Sequence, residues 1–197
     1  MRQLFAVAMA VLMSLAMVSQ SAAALIYLPD LDKWVEGGRA AVSPGTSTRG
    51  SSIHRTVVDY ETKYKPGTIV VETSERRLYY VLDDGKAVKY GIGVGRDGFR
   101  WSGSHVITRK AEWPGWTPPP AMRARVPGLP AYMEAGPDNP LGDRALYIGS
   151  PPYRLHGTSE PWTIGDAVSS GCIRLPNADI TDLSYRVAVA SRAVVRQ

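Results

Sequence analysis

A mainly β domain is the fold class that the sequence predicts, and three observations predict it. The chain has 19 glycines and 15 prolines, a content that favours turn-rich β structure over a helical bundle. Short runs rich in β-branched and aromatic residues recur between residues 68 and 110, each bounded by turn residues. Helix signals are confined to one stretch after Leu175. A chain of 197 residues therefore fits one β-rich domain with a leading segment.

Residues 1–24 have the organisation of a secretory signal peptide. Arg2 supplies the positive start, residues 4–18 form an almost unbroken apolar run, and residues 21–24 are small, as a cleavage site requires. The run is shorter than the roughly 20 residues that span a bilayer, and an uncleaved amino-terminal anchor is the alternative. No cysteine follows the run, which excludes a lipoprotein anchor. We expect export to the periplasm or cell wall, with no stable membrane span after cleavage.

Residues 25–65 are predicted to be an amino-terminal extension and linker, and residues 66–197 the folded domain. Glycine, serine and threonine are frequent in residues 43–52, as in flexible linkers. We expect the extension to give the domain reach or to pack along its edge, with His54 as a solvated loop residue.

The first strands of the domain are expected to form a β-meander. Strands are predicted at residues 68–73 and 77–82, and the turn at residues 83–86 leads to a third strand at 87–94. A fourth strand is predicted at 104–110, with His105 on its core-facing side. The glycines at 91, 93 and 95 continue a hairpin strand rather than open a helix, so they do not form a dinucleotide-binding loop.

Residues 111–122 (AEWPGWTPPPAM) are predicted to be an irregular loop, because prolines lack an N–H donor and have a fixed φ. Trp113 and Trp116 on this loop either grip a peptide or sugar beside a cleft or cap the edge of the sheet. Residues 123–143 continue as a long loop, and loops of this length inside a compact domain are usually functional. We expect this loop to form a wall of a substrate cleft.

The carboxy-terminal part should contain short strands, one helix and a closing strand. Strands are predicted at residues 146–150 and 153–156 around the Pro151-Pro152 turn, and a final strand or pair at 186–195. The helix after Leu175 has a cap, an acidic first turn and a buried stripe. These signals are Asn177, Asp179, and Ile180 with Leu183.

The only cysteine of the chain, Cys172, lies sixteen residues after His156. A thiol attacks as its thiolate, and a nearby imidazole can take its proton, which lowers the thiol pKa from about 8.5 to roughly 3.5–7.5. Cys172 is therefore the candidate nucleophile and His156 its proton donor and acceptor, oriented by a backbone carbonyl or by Asp166. The alternative is a buried cysteine that acts as a small hydrophobe near a strand histidine.

The residues around this pair have the features of an oxyanion site. Ser169, Ser170 and Gly171 suit a tight turn whose backbone N–H groups point at a developing oxyanion. Arg174 lies two residues past the thiol, on the same side of an extended segment, and could bind a substrate carboxylate through a bidentate fork. The remaining supporting candidates directly follow the histidine; they are Gly157 and Thr158.

Charge and cysteine content exclude several classes of protein. The formal net charge is +5, and removal of residues 1–24 takes away only Arg2, which lowers it to +4. The basic residues are scattered, with no basic run or aromatic-interleaved stripe, so no nucleic-acid partner is expected. One cysteine and no Cys/His cluster exclude a structural zinc site. In an oxidising compartment, a lone cysteine is either buried or a working thiol.

The segment at residues 156–175 (HGTSEPWTIGDAVSSGCIRL) resembles the active-site signature of the L,D-transpeptidase (YkuD-like) family. That signature is His-Gly-Thr, a spacer of about a dozen residues, and Ser-His-Gly-Cys-Ile-Arg. The family's Asn-Pro-Leu-Gly segment is matched at residues 139–142, its glycine-rich approach at 90–96, and a segment of tryptophan, proline and methionine at 113–122. The matches cover residues 66–190 in the family's order. Ser170 departs from the pattern, because the family usually has histidine before Gly-Cys, so His156 must transfer the proton alone.

The resemblance implies a β-sandwich-like L,D-transpeptidase catalytic domain with one or two short helices. It also implies a peptidoglycan reaction in which Cys172 attacks a stem tetrapeptide, releases D-alanine and leaves a thioester. An amine of another stem, or of a wall-attached protein, then accepts the acyl group in cell wall biogenesis. No cofactor or metal is implied, and carbapenem-type β-lactams are expected to acylate the thiol.

Three alternatives stay open at this point. The thioester could pass to water, as in an L,D-carboxypeptidase. Ser170 could mark a non-catalytic wall-binding module with a lapsed site, and thiol reactivity at neutral pH would then be ordinary. An unrelated cysteine peptidase of the wall would instead cleave internal stem bonds.

Overall fold

The structure is a computed structural model that describes residues 51–99, 101–149 and 153–197, together with the backbone of residues 25–28 and 33–36. The predicted signal peptide at 1–24, residues 29–32 and 37–50 of the predicted extension, and the Pro151-Pro152 turn lie outside the described residues. None of the described helices is long and apolar enough to cross a membrane.

The described residues form mostly short strands, with two α-helices and one turn of 3-10 helix between them. The strands are β1 (Leu25–Leu28), β2 (Lys33–Glu36), β3 (Thr56–Asp59), β4 (Ile69–Glu72), β5 (Arg77–Val81), β6 (Lys86–Gly91), β7 (Val94–Gly95), β8 (Gly103–Glu112), β9 (Arg144–Ile148), β10 (Arg154–His156), β11 (Ala167–Ser169), β12 (Ile173–Arg174) and β13 (Arg192–Arg196). The helices are α1 (Pro120–Arg125) and α2 (Asn177–Arg186), and the 3-10 turn is Pro161–Thr163.

Nine strands form one mixed sheet in the order β12-β10-β9-β8-β13-β4-β5-β6-β3. Most neighbours are antiparallel, but β13 is parallel to β4 and β10 is parallel to β12. Strands β1 and β2 pair as a separate antiparallel hairpin, and β7 pairs in parallel with β11. The prediction of a mainly β domain with one or two short helices is confirmed.

The sheet folds over onto itself, which gives the sandwich-like arrangement. Just past the end of β6, Gly93 exchanges backbone hydrogen bonds of 2.9 Å in each direction with Arg174 of β12, the strand at one edge of the sheet. One continuous core lies between the two halves. It contains apolar side chains of β4, β5 and β6 as well as those of β9, β10, β12 and α2. Each Leu or Ile that this core buries contributes about 1.5–3 kcal/mol.

The predicted meander is present, with its turn in the expected place. Asp84 and Gly85 have φ values of 58° and 67°, the positive values that a two-residue hairpin turn requires. Gly91 ends β6 and is followed by β7 rather than by a helix, as predicted from the glycine spacing. His105 on β8 is half-buried and packs edge-on against Trp101, with the ring centroids 5.4 Å apart.

The prediction that residues 111–122 form an irregular loop is wrong at both ends of that segment. Strand β8 continues to Glu112, and α1 begins at Pro120. Proline fits the first turn of a helix because its missing N–H would have no partner there. The helix and the following loop bury their own small core, separate from the main one. Its members are Trp116, Met122, Val126, Leu129 and Leu141.

Helix α2 occurs as predicted, but its predicted cap does not. Pro176 holds the cap position, and no side chain makes a capping hydrogen bond. Ile180 and Leu183 are fully buried, as expected of the apolar stripe. The closing strand β13 begins only at Arg192, because α2 continues to Arg186.

Part of the predicted extension joins the domain. Strand β3 pairs with β6 and forms one edge of the main sheet. Ahead of it, the Arg55 guanidinium contacts the Asp179 carboxylate at 2.9 Å, and Ile53 packs closely over Gly91. His54 is exposed, as predicted.

Candidate active site

One cavity of about 310 Å³ contains the predicted nucleophile and base. Cys172 and His156 both line it, with Thr158, Ser169, Ser170 and Arg174. The remaining walls come from three other segments. These supply Gly98 and Phe99; Trp116, Pro119, Ala121, Met122, Arg125, Pro140 and Leu141; and Tyr153, Arg154, Ser159 and Glu160.

Two neighbouring parallel strands bring Cys172 and His156 together. In the register of β10 and β12, Leu155 lies opposite Ile173 and His156 lies opposite Arg174. Neighbouring strands are about 4.8 Å apart, and side chains alternate between the two faces of a sheet. Leu155 and Ile173 are therefore directed into the core, where they are buried. Their neighbours on the other face line the cavity, and these are Arg154, His156, Cys172 and Arg174.

The imidazole of His156 is buried, and one of its nitrogens is hydrogen-bonded to the backbone. Nδ1 lies 2.6 Å from the carbonyl oxygen of Gly157, so Nδ1 carries the proton and donates it. Nε2 is then the basic nitrogen. Burial, with the nearby Arg154 charge, lowers the pKa of His156 to about 3, so the ring is neutral. The alternative prediction, that Asp166 orients His156, is wrong. Asp166 is exposed, and Nδ1 is hydrogen-bonded to the Gly157 carbonyl instead.

The thiol of Cys172 is half-buried and free of any disulfide. Burial raises the pKa of the thiol. The charge of Arg154 and a hydrogen bond with the Arg154 backbone oppose that rise only in part. The directions of these two pKa shifts do not favour a thiolate–imidazolium pair in the resting site. Burial disfavours the charged form of both groups, and the cationic Arg154 and Arg174 further disfavour the imidazolium while they favour the thiolate.

The turn before Cys172 is held by hydrogen bonds to its backbone. Ser169 Oγ donates to the Cys172 carbonyl at 2.5 Å, and the Trp101 indole N–H donates to the Gly171 carbonyl at 2.6 Å. Gly171 has φ = 102°, a conformation that favours glycine. Ser170 Oγ is buried and makes no hydrogen bond within the described residues. Ser169 therefore fixes the turn, while Ser170 lines the cavity.

Arg174 forms a buried ion pair beneath the cavity. Its Nη1 lies 3.5 Å from the Glu160 carboxylate, and both side chains are about 5% exposed. A methyl group on Gly93 would lie 3.3 Å from the guanidinium, which would have to shift by a few tenths of an ångström to admit it. Because the Arg174 charge is already opposed by Glu160, the arrangement favours a stabilising role over binding of a substrate carboxylate.

The loop wall of the cavity matches the predicted cleft wall in part. Trp116 is buried in the small core and lines the cavity. Trp113 is 49% exposed and is not among the residues that line the cavity, so its predicted part in substrate binding has no support. It has a φ of 42° and is not a member of the small core.

Sequence reasoning missed three residues of the site. Arg154 was detectable, because it lies two residues before His156 and so shares a face with it in a strand. Glu160 and Trp101 gave no such signal, since neither lies on a strand whose period relates it to Cys172 or His156. Within the described ranges, no group of three or more His, Cys, Asp or Glu side chains is placed to hold a metal ion.

Comparisons with known sequences agree with this geometry. The family model of the L,D-transpeptidase catalytic domain, YkuD, matches residues 66–195. The probable L,D-transpeptidase ErfK/SrfK of Escherichia coli is 45% identical over 134 residues, which are 64% of this chain and 43% of that protein. A putative L,D-transpeptidase from the ATP synthase subunits region of Fuscovulum blasticum is 33% identical over 186 residues, which are 93% of this chain and 94% of that protein. The matched region is therefore less than half the length of the first relative.

Solved structures share the fold. L,D-transpeptidase 3 from Mycobacterium tuberculosis superposes with a TM-score of 0.53 over 66% of this chain and 60% of that one, at 16% identity. A Brucella melitensis protein named probable carnitine operon oxidoreductase is 40% identical, with a TM-score of 0.51 over 71% of this chain and 91% of that one. Because the family model matches more than half of the sequence, the chain belongs to the L,D-transpeptidase catalytic domain family.

Proposed function

We propose that the protein is a peptidoglycan L,D-transpeptidase that forms a thioester between Cys172 and a stem tetrapeptide. The observation that carries this proposal is the shared cavity of Cys172 and His156, with Nδ1 of the imidazole already hydrogen-bonded to Gly157. Membership of the family supplies the reaction class.

His156 acts as a general base at the moment of attack rather than as a resting imidazolium. Both groups are neutral in the folded protein, because burial raises the pKa of Cys172 and lowers that of His156. The thiol proton passes to Nε2 as Sγ attacks the carbonyl that links the diamino acid to D-alanine. The same proton then goes to the leaving D-alanine amine, which restores the neutral imidazole.

Backbone N–H groups at Gly171 and Cys172 stabilise the oxyanion. The Gly171 carbonyl accepts the Trp101 indole proton, and the N–H of a trans peptide points opposite to its C=O. The Cys172 N–H is therefore directed away from Trp101 and is fixed in orientation before substrate binds. Preorganised donors of this kind contribute about 2.7–4 kcal/mol each to related acyl transfers.

The cavity also suits an anionic peptide. Three arginines line it, Arg125 on α1, Arg154 on β10 and Arg174 on β12, the last of them in an ion pair with Glu160. Cationic side chains attract the carboxylates of a stem peptide. An amine of a second stem or of a wall-attached protein then attacks the thioester, in the exported location that the signal peptide predicts.

Intact-protein mass spectrometry with a stem tetrapeptide tests the proposal directly. The wild-type protein should gain the mass of the stem minus D-alanine, and Cys172→Ala should gain nothing. Tyr185→Ala, a substitution at a 76% exposed position on α2, is the control for handling and should behave as wild type. An unmodified wild-type protein, or an adduct on Cys172→Ala, would refute the thioester route.

The same assay separates the alternatives. With an acceptor amine present, a transpeptidase yields the amide product, whereas a carboxypeptidase yields only the free tripeptide. A wall-binding module with a lapsed site forms no adduct, and an unrelated peptidase cuts within the stem. Thiol labelling at neutral pH does not separate these cases, because burial raises the pKa of Cys172 even in a competent site.

A further inference from the structure

We propose that Asn177 is a positioning residue that holds the His156 imidazole in place through the Gly157–Thr158 peptide group. The inference rests on the proposed function, since it assigns Asn177 to the same site. It extends that function to a residue that does not line the cavity and that the sequence predicted to be a helix cap.

Two hydrogen bonds meet on this one peptide. Its C=O, belonging to Gly157, accepts the Nδ1 proton of His156 at 2.6 Å. Its N–H, belonging to Thr158, donates to Asn177 Oδ1 at 3.0 Å. A peptide group is planar, and its N–H and C=O point in opposite directions. By holding the N–H, Asn177 therefore sets the direction of the carbonyl that orients the imidazole.

Two glycines make room for the Asn177 side chain. A methyl group built on Gly142 or on Gly157 would collide with Asn177 Oδ1. The same methyl group on Gly142 would lie 2.6 Å from the Thr158 nitrogen and 2.7 Å from the Gly157 carbonyl carbon. Gly142 therefore packs directly against the peptide, with φ = 63°. The glycine of the Asn-Pro-Leu-Gly segment thus has a physical role at the site.

Asn177 lies at the start of a helix that is packed into the main core. The residue begins α2, whose side chains Ile180 and Leu183 are fully buried in the main core. Asparagine usually caps a helix by accepting a backbone N–H of its first turn. Here it accepts an N–H from another segment, nineteen residues earlier in the chain, and leaves the helix without a side-chain cap. The helix start therefore serves the site rather than its own backbone.

The chemical consequence is a fixed tautomer of His156. Donation of the Thr158 N–H to Oδ1 polarises the peptide and strengthens the Gly157 carbonyl as an acceptor. That carbonyl keeps the proton on Nδ1, which leaves Nε2 to receive the thiol proton. The charged groups around the ring are Arg154 and Arg174, with Glu160 paired to the latter.

Two substitutions and one control test the proposal. Asn177→Ala removes the acceptor, and Asn177→Asp keeps an oxygen in the same place but adds a negative charge. Tyr90→Phe is the matched control, because it removes the 2.5 Å hydrogen bond to Asp182 and loosens the same helix without touching the Gly157–Thr158 peptide. The measurements are the rate of Cys172 acylation by a stem tetrapeptide against pH, the thermal midpoint, and the nitrogen chemical shifts of His156 by NMR.

We expect Asn177→Ala to lower the acylation kcat by about 10- to 100-fold, since a misplacement of about 1 Å can cost that much. Its His156 spectrum should change from the Nδ1–H form to a mixture of tautomers. Asn177→Asp should recover kcat to within about threefold, because a carboxylate accepts the same bond strongly. The added charge should move the acidic limb of its pH profile to higher pH. Tyr90→Phe should lower the thermal midpoint without either effect.

Three results would overturn the inference. One is an unchanged tautomer in Asn177→Ala, another is a pH profile of Asn177→Asp that matches the wild type, and the third is an equal loss of kcat in Tyr90→Phe. If the wild-type protein forms no acyl adduct, the proposed function fails. The NMR comparison then still decides whether Asn177 orients the ring.

Discussion

The two walls of the cavity are built in different ways. One wall, the strand wall, consists of β10 and β12, whose alternate side chains belong to the main core. The other, the loop wall, consists of residues 113–142 with α1, and it rests on a small core of its own. The strand wall carries His156, Arg174 and, directly before β12, Cys172; Glu160 pairs with Arg174 from the turn that follows β10. The loop wall offers mainly apolar side chains and Arg125.

This difference indicates that the two walls have different roles in the site. Groups that must keep a fixed geometry lie on strands held by the sheet and by the core of the domain. Groups that contact the rest of a substrate lie on a loop that can change with little cost to the sheet. Substitutions in the strand wall should therefore alter the chemical step, and substitutions in the loop wall should alter substrate affinity.

The largest effect on the chemical step is expected from His156→Gln. Glutamine can fill the space but cannot take the thiol proton, and a general base typically contributes about 10²- to 10⁴-fold to a rate. We expect the acylation rate to fall by about 10³-fold with KM nearly unchanged. Single-turnover mass spectrometry measures both. A loss confined to KM would contradict the assignment of His156 to proton transfer.

The largest effect on stability is expected from Glu160→Gln. It leaves the Arg174 charge buried opposite a neutral amide, and breaking a buried ion pair costs about 3–5 kcal/mol. Glu112→Gln is the control, because the Glu112 side chain is 70% exposed in its pair with Arg144 and such pairs contribute about 0–1 kcal/mol. Urea unfolding measures the free energy of both variants. Equal losses would mean that the strand wall does not depend on its buried charges.

The stability of the strand wall should also depend on pH through His156. Its pKa is about 3 in the folded protein, below the ordinary value of 6.5. Between these values the unfolded chain binds a proton that the folded protein does not bind. The stabilisation is therefore complete above pH 6.5 and is lost as the pH falls toward 3. The urea midpoint should decline more steeply over this window in the wild type than in His156→Gln, and parallel declines would contradict the lowered pKa.

A smaller and local effect is expected from Met122→Ala in the loop wall. Met122 is 5% exposed in the small core, and truncation of a buried methionine costs about 2–5 kcal/mol when the site cannot relax. We expect the low end of that range, with a raised KM and an unchanged kcat, because the loop is not part of the sheet. Steady-state kinetics with a stem tetrapeptide tests this, and a fall in kcat alone would remove the distinction between the walls.

The smallest effect is expected from Ser170→His, which restores the residue usual in the family. Ser170 Oγ has no hydrogen-bond partner in the part of the chain that the structure describes, so its loss should leave nothing unpaired there. We expect an acylation rate equal to that of the wild type or higher. A collapse of the rate would reveal a specific role for the serine hydroxyl.

Local patterns in the sequence predicted the strand wall better than the loop wall. The alternation of Leu155 with His156, and of Ile173 with Arg174, follows from the period of a strand, and the structure has it. The proline content does not predict the helix at Pro120, because proline disfavours the interior of regular structure but fits a first helical turn. Asn177 was misassigned for a related reason: a helix-capping residue type can also serve a distant segment.

The electrostatics of the site depend on long-range packing and so escaped prediction. A histidine sixteen residues from a cysteine suggested an ion pair. Burial instead sets the direction of each pKa shift, and the Arg154 charge adds to it for His156 and opposes it for Cys172. Glu160 and Trp101 reach the site from turns that no periodicity relates to Cys172. Only the folded chain brings these residues to the cavity.

The parallel pairing of β10 and β12 has a consequence for how members of such a family can diverge. The separation of the imidazole and the thiol depends on the spacing between two strands, and the number of residues that join them has no part in it. The connection can therefore accept insertions at its solvent-facing turn, near the 54% exposed Trp162, without moving either reactive group. Differences in spacer length between relatives would then alter the entrance to the cavity and leave the reaction centre unchanged.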